Sequence, residues 1–327
     1  MKIITPEKET LLQIYKTAAL IKLVDERLIE LIKAGHTASP YYSPRGQEII
    51  PSAISVHLRA TDNVVTIYRG MHDQIAKGIP LKLFFAEFLG RSTGTCKGKG
   101  GPMHITHVAS GLPLTTGIVG SGLPIANGLA WAAQLKGSDD VTVCNFGDGA
   151  SNIGAFHEAL NLAAVWKLPV VFVCQNNGYA EHTRYDFGTA SATVAKRAEA
   201  YDIPGIQVDG NDPVAMWRAA GEAITRARRG EGPTLVEAKT FRFLGHLLGD
   251  DSHYIPKEEM AAAQAADPLP RFRASLISQG YADEATLAEI EQTHTQAIHA
   301  AVEFAMASPW PAVAELNLDV YGQEVMA

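Results

Sequence analysis

Apolar residues recur at helical spacing from near the start of the chain. Leu11, Ile14, Tyr15, Ala18, Ile21, Val24, Leu28, Leu31 and Ile32 share one face, and Gly35 follows as a cap, so the spacing predicts a long amphipathic helix over 7–34. A second helix is expected over 47–59, after "RGQE". "DNVVTIYRG" at 62–70 reads as a short buried strand ending in a polar turn. The pattern then lapses. Residues 90–122 are rich in glycine and weakly periodic, and so long an irregular stretch is uncommon in a compact domain and often functional. It carries Met103, Ile105, Val108, Leu112 and Leu114, which suit an ordered loop and not a solvated tether.

From residue 122 helical and strand patterns alternate. "LPIANGLAWAAQLKG", "SNIGAFHEALNLAAVWK" and "DPVAMWRAAGEAITRARRG" (212–230) read as helices. "DVTVCNF", "LPVVFVCQNN", "GIQVDG" (205–210) and "GPTLVEAKTF" read as strands. The second strand is continuously apolar, as a strand covered on both faces would be. This succession predicts an α/β fold with a doubly wound, mostly parallel sheet. Such sheets bind ligands beyond the carboxyl ends of their strands. Residues 1–60 form an N-terminal helical segment, and 256–327 a helical tail without a catalytic pattern. We expect one domain over 1–327, without internal repeats.

Composition narrows the function. Only 19% of residues are charged, which suits a chain that buries much surface in a core or against partners. The net charge of −7 argues against a nucleic-acid footprint. No run of about 18 apolar residues is present, so no membrane span is expected. "MKIITPEKETLLQ" lacks the features of a signal or transit peptide, and a cytoplasmic location is expected. Cys96, Cys144 and Cys174 are too scattered for a zinc site.

The chemistry concentrates in "VCNFGDGASN" at 143–152. Asp-Gly is a common turn dipeptide, so Asp148 has an ordinary explanation as a turn residue. "GDGASN" also resembles the opening of a dinucleotide-binding loop. Its third glycine is replaced by Asn152, and Gln175 and Asn176 stand where the acidic residue of the next strand belongs, so that reading is weak. A cation site fits better. Asp148 and Asn177 end successive strands, and on neighbouring strands their side chains would converge. A carboxylate and an amide oxygen suit Mg²⁺ or Ca²⁺, with phosphate oxygens and waters filling the open positions. A helix starting near Ser151 would add N–H groups and its dipole.

"GDG" followed by "NN", after a helix and an apolar strand, resembles the thiamine diphosphate motif. The stretch "FGDGASNIGAFHEALNLAAVWKLPVVFVCQNNGYA" is similar to the α subunits of thiamine-dependent pyruvate, branched-chain 2-oxoacid and acetoin dehydrogenase first components. "GRSTGTCKGKGGPMHI" and "TTGIVGSGLPIANGLA" are similar to further segments of that family, and the likeness covers roughly residues 10–310. The resemblance implies that Asp148, Asn177 and the Tyr179 carbonyl hold Mg²⁺. It implies that Gly149 and Ala150 offer N–H groups to the diphosphate, which Tyr68 and Arg69 also bind. Gly117 and Val119 match backbone contacts to the aminopyrimidine, and His246 matches a catalytic histidine near the reaction centre. The resemblance further implies a β subunit carrying the other half of the cofactor site, in an α2β2 heterotetramer. The expected reaction decarboxylates a 2-oxoacid or cleaves acetoin, both small molecules, and passes the acyl group to a lipoyl-bearing acyltransferase.

Three expected wall positions depart from pyruvate-type members, which carry histidines there. They are Tyr42, Met71 (with His72 one place later) and Leu244. Each exchange favours a less polar pocket and a substrate bulkier than pyruvate. Two other readings stay open: a split transketolase-like enzyme, and a degenerate scaffold subunit. Intact Asp148, Asn177 and Arg69 weigh against the second.

Overall fold

The computed structural model of the chain describes residues 5–319. The expected amphipathic helix is α1, Lys8–Lys33. Next come α2 (Ile49–Ser55), β1 (Asn63–Ile67), α3 (Met71–Ala76), α4 (Leu81–Phe88) and β2 (Leu114–Thr116). The alternating half follows as α5 (Gly122–Leu135), β3 (Thr142–Gly147), α6 (Gly154–Trp166) and β4 (Val170–Asn176). A small hairpin, β5 (Tyr179–Ala180) and β6 (Thr183–Arg184), leads through the single turn α7 (Tyr185–Gly188) to β7 (Gly205–Asp209), α8 (Pro213–Arg228) and β8 (Thr234–Lys239). The tail is α9 (Lys257–Ala265), α10 (Pro268–Ser278) and α11 (Glu284–Ala307). Residues 320–327 of the expected tail lie outside the described residues.

The doubly wound sheet is present. Six strands run in the order β2-β1-β3-β4-β8-β7, every pair parallel. Chain order runs outward in one direction from β1 to β2, and in the other from β3 to β4. The switch point therefore lies between β1 and β3, where such sheets open a crevice. Alternate residues of each central strand feed two cores. Val143, Val171 and Val173 face α1, α2, α8 and the tail helices. Cys144, Phe146, Phe172 and Cys174 face α5 and α6. Every residue of β4 is buried, as its unbroken apolar run requires. Among the described residues no helix is long and apolar enough to cross a membrane.

Local chemistry fixes several boundaries. The Asp212 carboxylate accepts from the N–H groups of Val214 and Ala215, and Pro213 opens α8. The helix expected over 47–59 is only Ile49–Ser55. His57 and Leu58 hydrogen-bond three residues back, so the last turn tightens and stops. The helix expected from Ser151 also begins later. Asp148–Asn152 form a separate 3₁₀ turn, and Ile153, at φ −94° and ψ 157°, breaks it from α6. The glycine-rich stretch is ordered and contributes β2 to one edge of the sheet.

Candidate active site

A cavity of about 440 Å³ opens at the carboxyl ends of β1–β4. Tyr68 and Arg69 follow β1, Gly117 and Val119 follow β2, Asp148, Gly149 and Ala150 follow β3, and Asn177 and Tyr179 follow β4. His246 arrives from the loop after β8. Strands β3 and β4 are direct neighbours, with Gly147 opposite Gln175, so Asp148 and Asn177 do come together at one sheet edge.

Asp148 is only 2% exposed, and its Oδ2 has no hydrogen-bond partner. Burial pushes its carboxyl up to about 6, against weak opposition from the backbone and from Lys239 and Arg242. A carboxylate left unpaired at such depth is costly unless something positive binds it. Asn177 is also buried. Its Nδ2 donates to Gln47 Oε1 at 3.0 Å, and its Oδ1 accepts from the Tyr179 N–H at 3.2 Å. The Tyr179 carbonyl accepts from Arg242 Nη1 at 3.3 Å. One carboxylate, one amide oxygen and one carbonyl make a hard-oxygen donor set that suits Mg²⁺. The residues fit that ion, with most of its coordination left for phosphate oxygens and water.

Two cations face this pair from the depth of the cavity. Arg69 and Arg242 are 5% and 1% exposed, and among the described residues neither makes an ion pair. Arg69 donates to the carbonyls of Ser43 at 2.9 Å and His246 at 2.8 Å. Arg242 donates to the Tyr179 and Glu181 carbonyls and to the Tyr254 hydroxyl. Burial, and secondarily Arg242, push the Arg69 guanidinium down to about 10, still fully charged near neutral pH. Two buried guanidinium groups bonded only to neutral acceptors are chemically suited to a multiply charged anion.

Two glycines on the cavity wall are closely packed. A Cβ on Gly149 would lie 2.7 Å from the Ala180 Cβ. One on Gly117 would lie 3.2 Å from His104 Cε1. At Gly149 the missing side chain lets Ala180 pack directly against the turn, and at Gly117 it lets His104 approach the backbone.

A family model for the dehydrogenase E1 component matches residues 15–314. The chain belongs to the dehydrogenase E1 component family. Enzymes of this family depend on thiamine diphosphate. The acetoin:2,6-dichlorophenolindophenol oxidoreductase α subunit of Bacillus subtilis is 42% identical over 315 residues, 96% of this chain and 94% of that one. Its counterpart from Cupriavidus necator is 40% identical, covering 96% and 95%. The pyruvate dehydrogenase E1 component α subunit of Porphyra purpurea is 34% identical, covering 95% and 92%. The chain is accordingly an E1 α subunit of an oxidoreductase.

Of the three positions expected on the wall, only Tyr42 lines the cavity of this E1 chain. Tyr42 lines the cavity and packs edge-on against Tyr68, with ring centres 4.5 Å apart, and against His246 at 5.1 Å. Met71 and Leu244 are not wall residues. Met71 opens α3 and turns into the core, and the next position, His72, takes its place on the wall. Leu244 is half-buried off the cavity. Burial, then Arg69 and Arg242, hold the His246 imidazole down to about 4, so it is neutral near pH 7. Arg69 Nη2 lies 3.4 Å from its Nδ1 and can only donate, which leaves the proton on Nε2. Gln47, Gln175 and Arg242 line the cavity without having been anticipated. Gln47 stands inside the quoted "RGQE", but a lone glutamine or arginine gives no periodic or spacing signal.

Proposed function

We propose that this chain carries the diphosphate- and Mg²⁺-binding half of a thiamine diphosphate site completed by a β subunit, in a cytoplasmic α2β2 enzyme that cleaves acetoin or a similar 2-hydroxyketone. The observation that carries this reading is the buried Asp148 carboxylate, whose Oδ2 has no hydrogen-bond partner among the described residues, beside two buried arginines that lack an acidic partner among those residues. Asp148, Asn177 and the Tyr179 carbonyl would hold Mg²⁺. Arg69, Tyr68 and the N–H groups of Gly149 and Ala150 would hold the diphosphate, and Gly117 and Val119 the aminopyrimidine. The bound cofactor would serve as the electron sink when the bond next to the substrate carbonyl breaks. Neutral His246 offers its Nε2–H to a substrate oxygen and, being uncharged, does not oppose the nearby arginines. The acyl acceptor is a lipoyl group on an acyltransferase partner, as the family resemblance implies.

Two features support the partner and the substrate. Val119, on the cavity wall, and its neighbour Ile118 are 49% and 72% exposed, and such apolar edges suit a subunit contact. Tyr42, Tyr68 and His246 give the substrate side an aromatic wall that suits a neutral ketone better than a small carboxylate. Two of the relatives described above act on acetoin by name.

The test is the chain co-expressed with its β partner. Calorimetry should show thiamine diphosphate binding that needs both Mg²⁺ and the partner. With dichlorophenolindophenol as electron acceptor, kcat/KM for acetoin should exceed that for pyruvate by about tenfold or more, the scale of discrimination that one fitted apolar group gives. A clear preference for pyruvate would overturn the substrate assignment and leave the cofactor assignment standing.

A further inference from the structure

Beneath the cation ligands runs a chain of buried amides. Asn177 Nδ2 donates to Gln47 Oε1 at 3.0 Å. Gln47 Nε2 donates to Gln175 Oε1 at 3.3 Å, and Gln175 Nε2 donates to Asp73 Oδ1 at 3.0 Å. The chain therefore ends on a carboxylate. Asp73 is 2% exposed, and its second oxygen accepts from the Thr66 hydroxyl. Gln47 and Gln175 are buried as well.

The direction of these bonds is fixed at both ends, by the Asp73 carboxylate (with Asn145 Oδ1, 3.3 Å from the same Gln175 nitrogen) and by the Tyr179 N–H. The two ends of an amide group have nearly the same shape, so only their partners decide which end carries the oxygen. Burial pushes the Asp73 carboxyl up from its usual range, opposed by His72 and by the hydrogen bonds from Thr66 and Gln175; in its ionised form it accepts and never donates. Gln175 must therefore turn its nitrogen toward Asp73 and its oxygen away. Its oxygen then accepts from Gln47, and from His72 Nε2 at 2.6 Å. Gln47 in turn must offer its oxygen to the Asn177 nitrogen. Reversing any one amide sets like ends against each other, so all three turn together or not at all. In the arrangement present, the Asn177 oxygen lies on the side of the Tyr179 N–H, away from the relay.

We propose that Asp73 is a positioning residue that orients the Asn177 amide through Gln175 and Gln47, so that its oxygen and not its nitrogen is presented to the divalent cation. This rests on the reading of Asn177 as a cation ligand. The Tyr179 N–H steadies the same oxygen, so the relay and the backbone act on one amide from two sides. Asp73→Asn removes the obligate acceptor at nearly constant shape, because an amide at that end can donate as readily as accept. Moving the carboxylate one step along, as Gln175→Glu in the same chain, restores an acceptor for Gln47 and hence the direction of the remaining relay.

The test measures Mn²⁺ binding to the α–β complex with saturating thiamine diphosphate, reading free Mn²⁺ by its electron paramagnetic resonance signal. Asp73→Asn should weaken Mn²⁺ binding by about tenfold, within the range of couplings in buried polar networks. The double variant Asp73→Asn/Gln175→Glu should recover to within about threefold of the parent. A role in packing alone predicts no such recovery, and Gln175→Glu alone, which puts the same charge on the cavity wall, should not tighten Mn²⁺ binding beyond the parent if the relay and not local charge is the cause. Tight Mn²⁺ binding by Asp73→Asn, or no recovery in a folded double variant, overturns the relay. If Asp73→Asn alone does not assemble, Gln47→Met cuts the relay in its middle, and unchanged binding there overturns it equally. A parent complex that binds no Mn²⁺ would instead overturn the cation site itself.

Discussion

Asp148→Asn is expected to make the cofactor-free α–β complex more stable and to leave it unable to bind thiamine diphosphate with Mg²⁺. The two effects share a cause. Burial raises this carboxyl from 3.8 to about 6. The folded chain thus keeps a proton that the unfolded chain releases. The stabilising contribution is complete below about pH 4 and is lost as pH rises through about 6. Above that, the buried charge disfavours the folded state by up to about 3 kcal/mol, since each tenfold change in proton affinity is worth about 1.4 kcal/mol. Asparagine has the shape without the charge and should recover part of this. The gap in thermal midpoint between variant and parent should be small near pH 4, reach about half its full size by about pH 5, and level off above about pH 7. Asp25, also buried and raised to about 6, gives both proteins the same underlying slope, so the difference isolates Asp148. In calorimetry the affinity for thiamine diphosphate with Mg²⁺ should fall by more than about a hundredfold, since even groups behind the ligands of a metal site cost 10–100-fold. A variant that binds the cofactor like the parent would remove Asp148 from the cation site.

Asp148 and Asn177 were legible because sheet periodicity places both at strand ends, and the neighbouring register of β3 and β4 then makes them meet. The alternating half was legible for the same reason. What escaped depends on contacts between distant segments. In α4, Glu87 sits within an apolar run, and nothing local says that it will be wholly buried. Its carboxylate accepts from the N–H groups of Cys96, Gly98, Gly100 and Gly101 and so orders the glycine-rich loop. The loop's order was visible in its apolar residues, but its anchor was not. Met71 missed the cavity by one position because α3 starts there, and helical geometry points adjacent residues in different directions. Gln47, Gln175 and Asp73 form one network from three distant parts of the chain, and a sequence read in windows cannot assemble it. Arg242 acquires meaning only from its burial without an ion-pair partner among the described residues.

Arg69→Met should abolish the protection that inorganic diphosphate gives the parent. In the chain, Arg69 and Arg242 are buried near enough for Arg242 to oppose the charge on Arg69. A dianion or trianion placed between them relieves that repulsion and meets guanidinium donors that are already desolvated. Inorganic diphosphate alone should therefore raise the thermal midpoint of the cofactor-free complex, and more so at low salt. Methionine keeps most of the side chain's volume but removes the charge and the donors. The carbonyls of Ser43 and His246 then lose their partner, which costs the folded state about 1–3 kcal/mol. Release from the repulsion with Arg242 works in the opposite direction, so the midpoint of the free complex should move little. Binding has no such compensation. Thiamine diphosphate affinity should fall by about 1.5–3 kcal/mol, the range for hydrogen bonds to charged groups, or roughly 10–150-fold. Arg69→Lys should fall between, because an ammonium keeps the charge but not the planar fork. A parent complex indifferent to inorganic diphosphate, or an Arg69→Met complex protected as well as the parent, would mean that these arginines serve the fold and that the anion binds elsewhere.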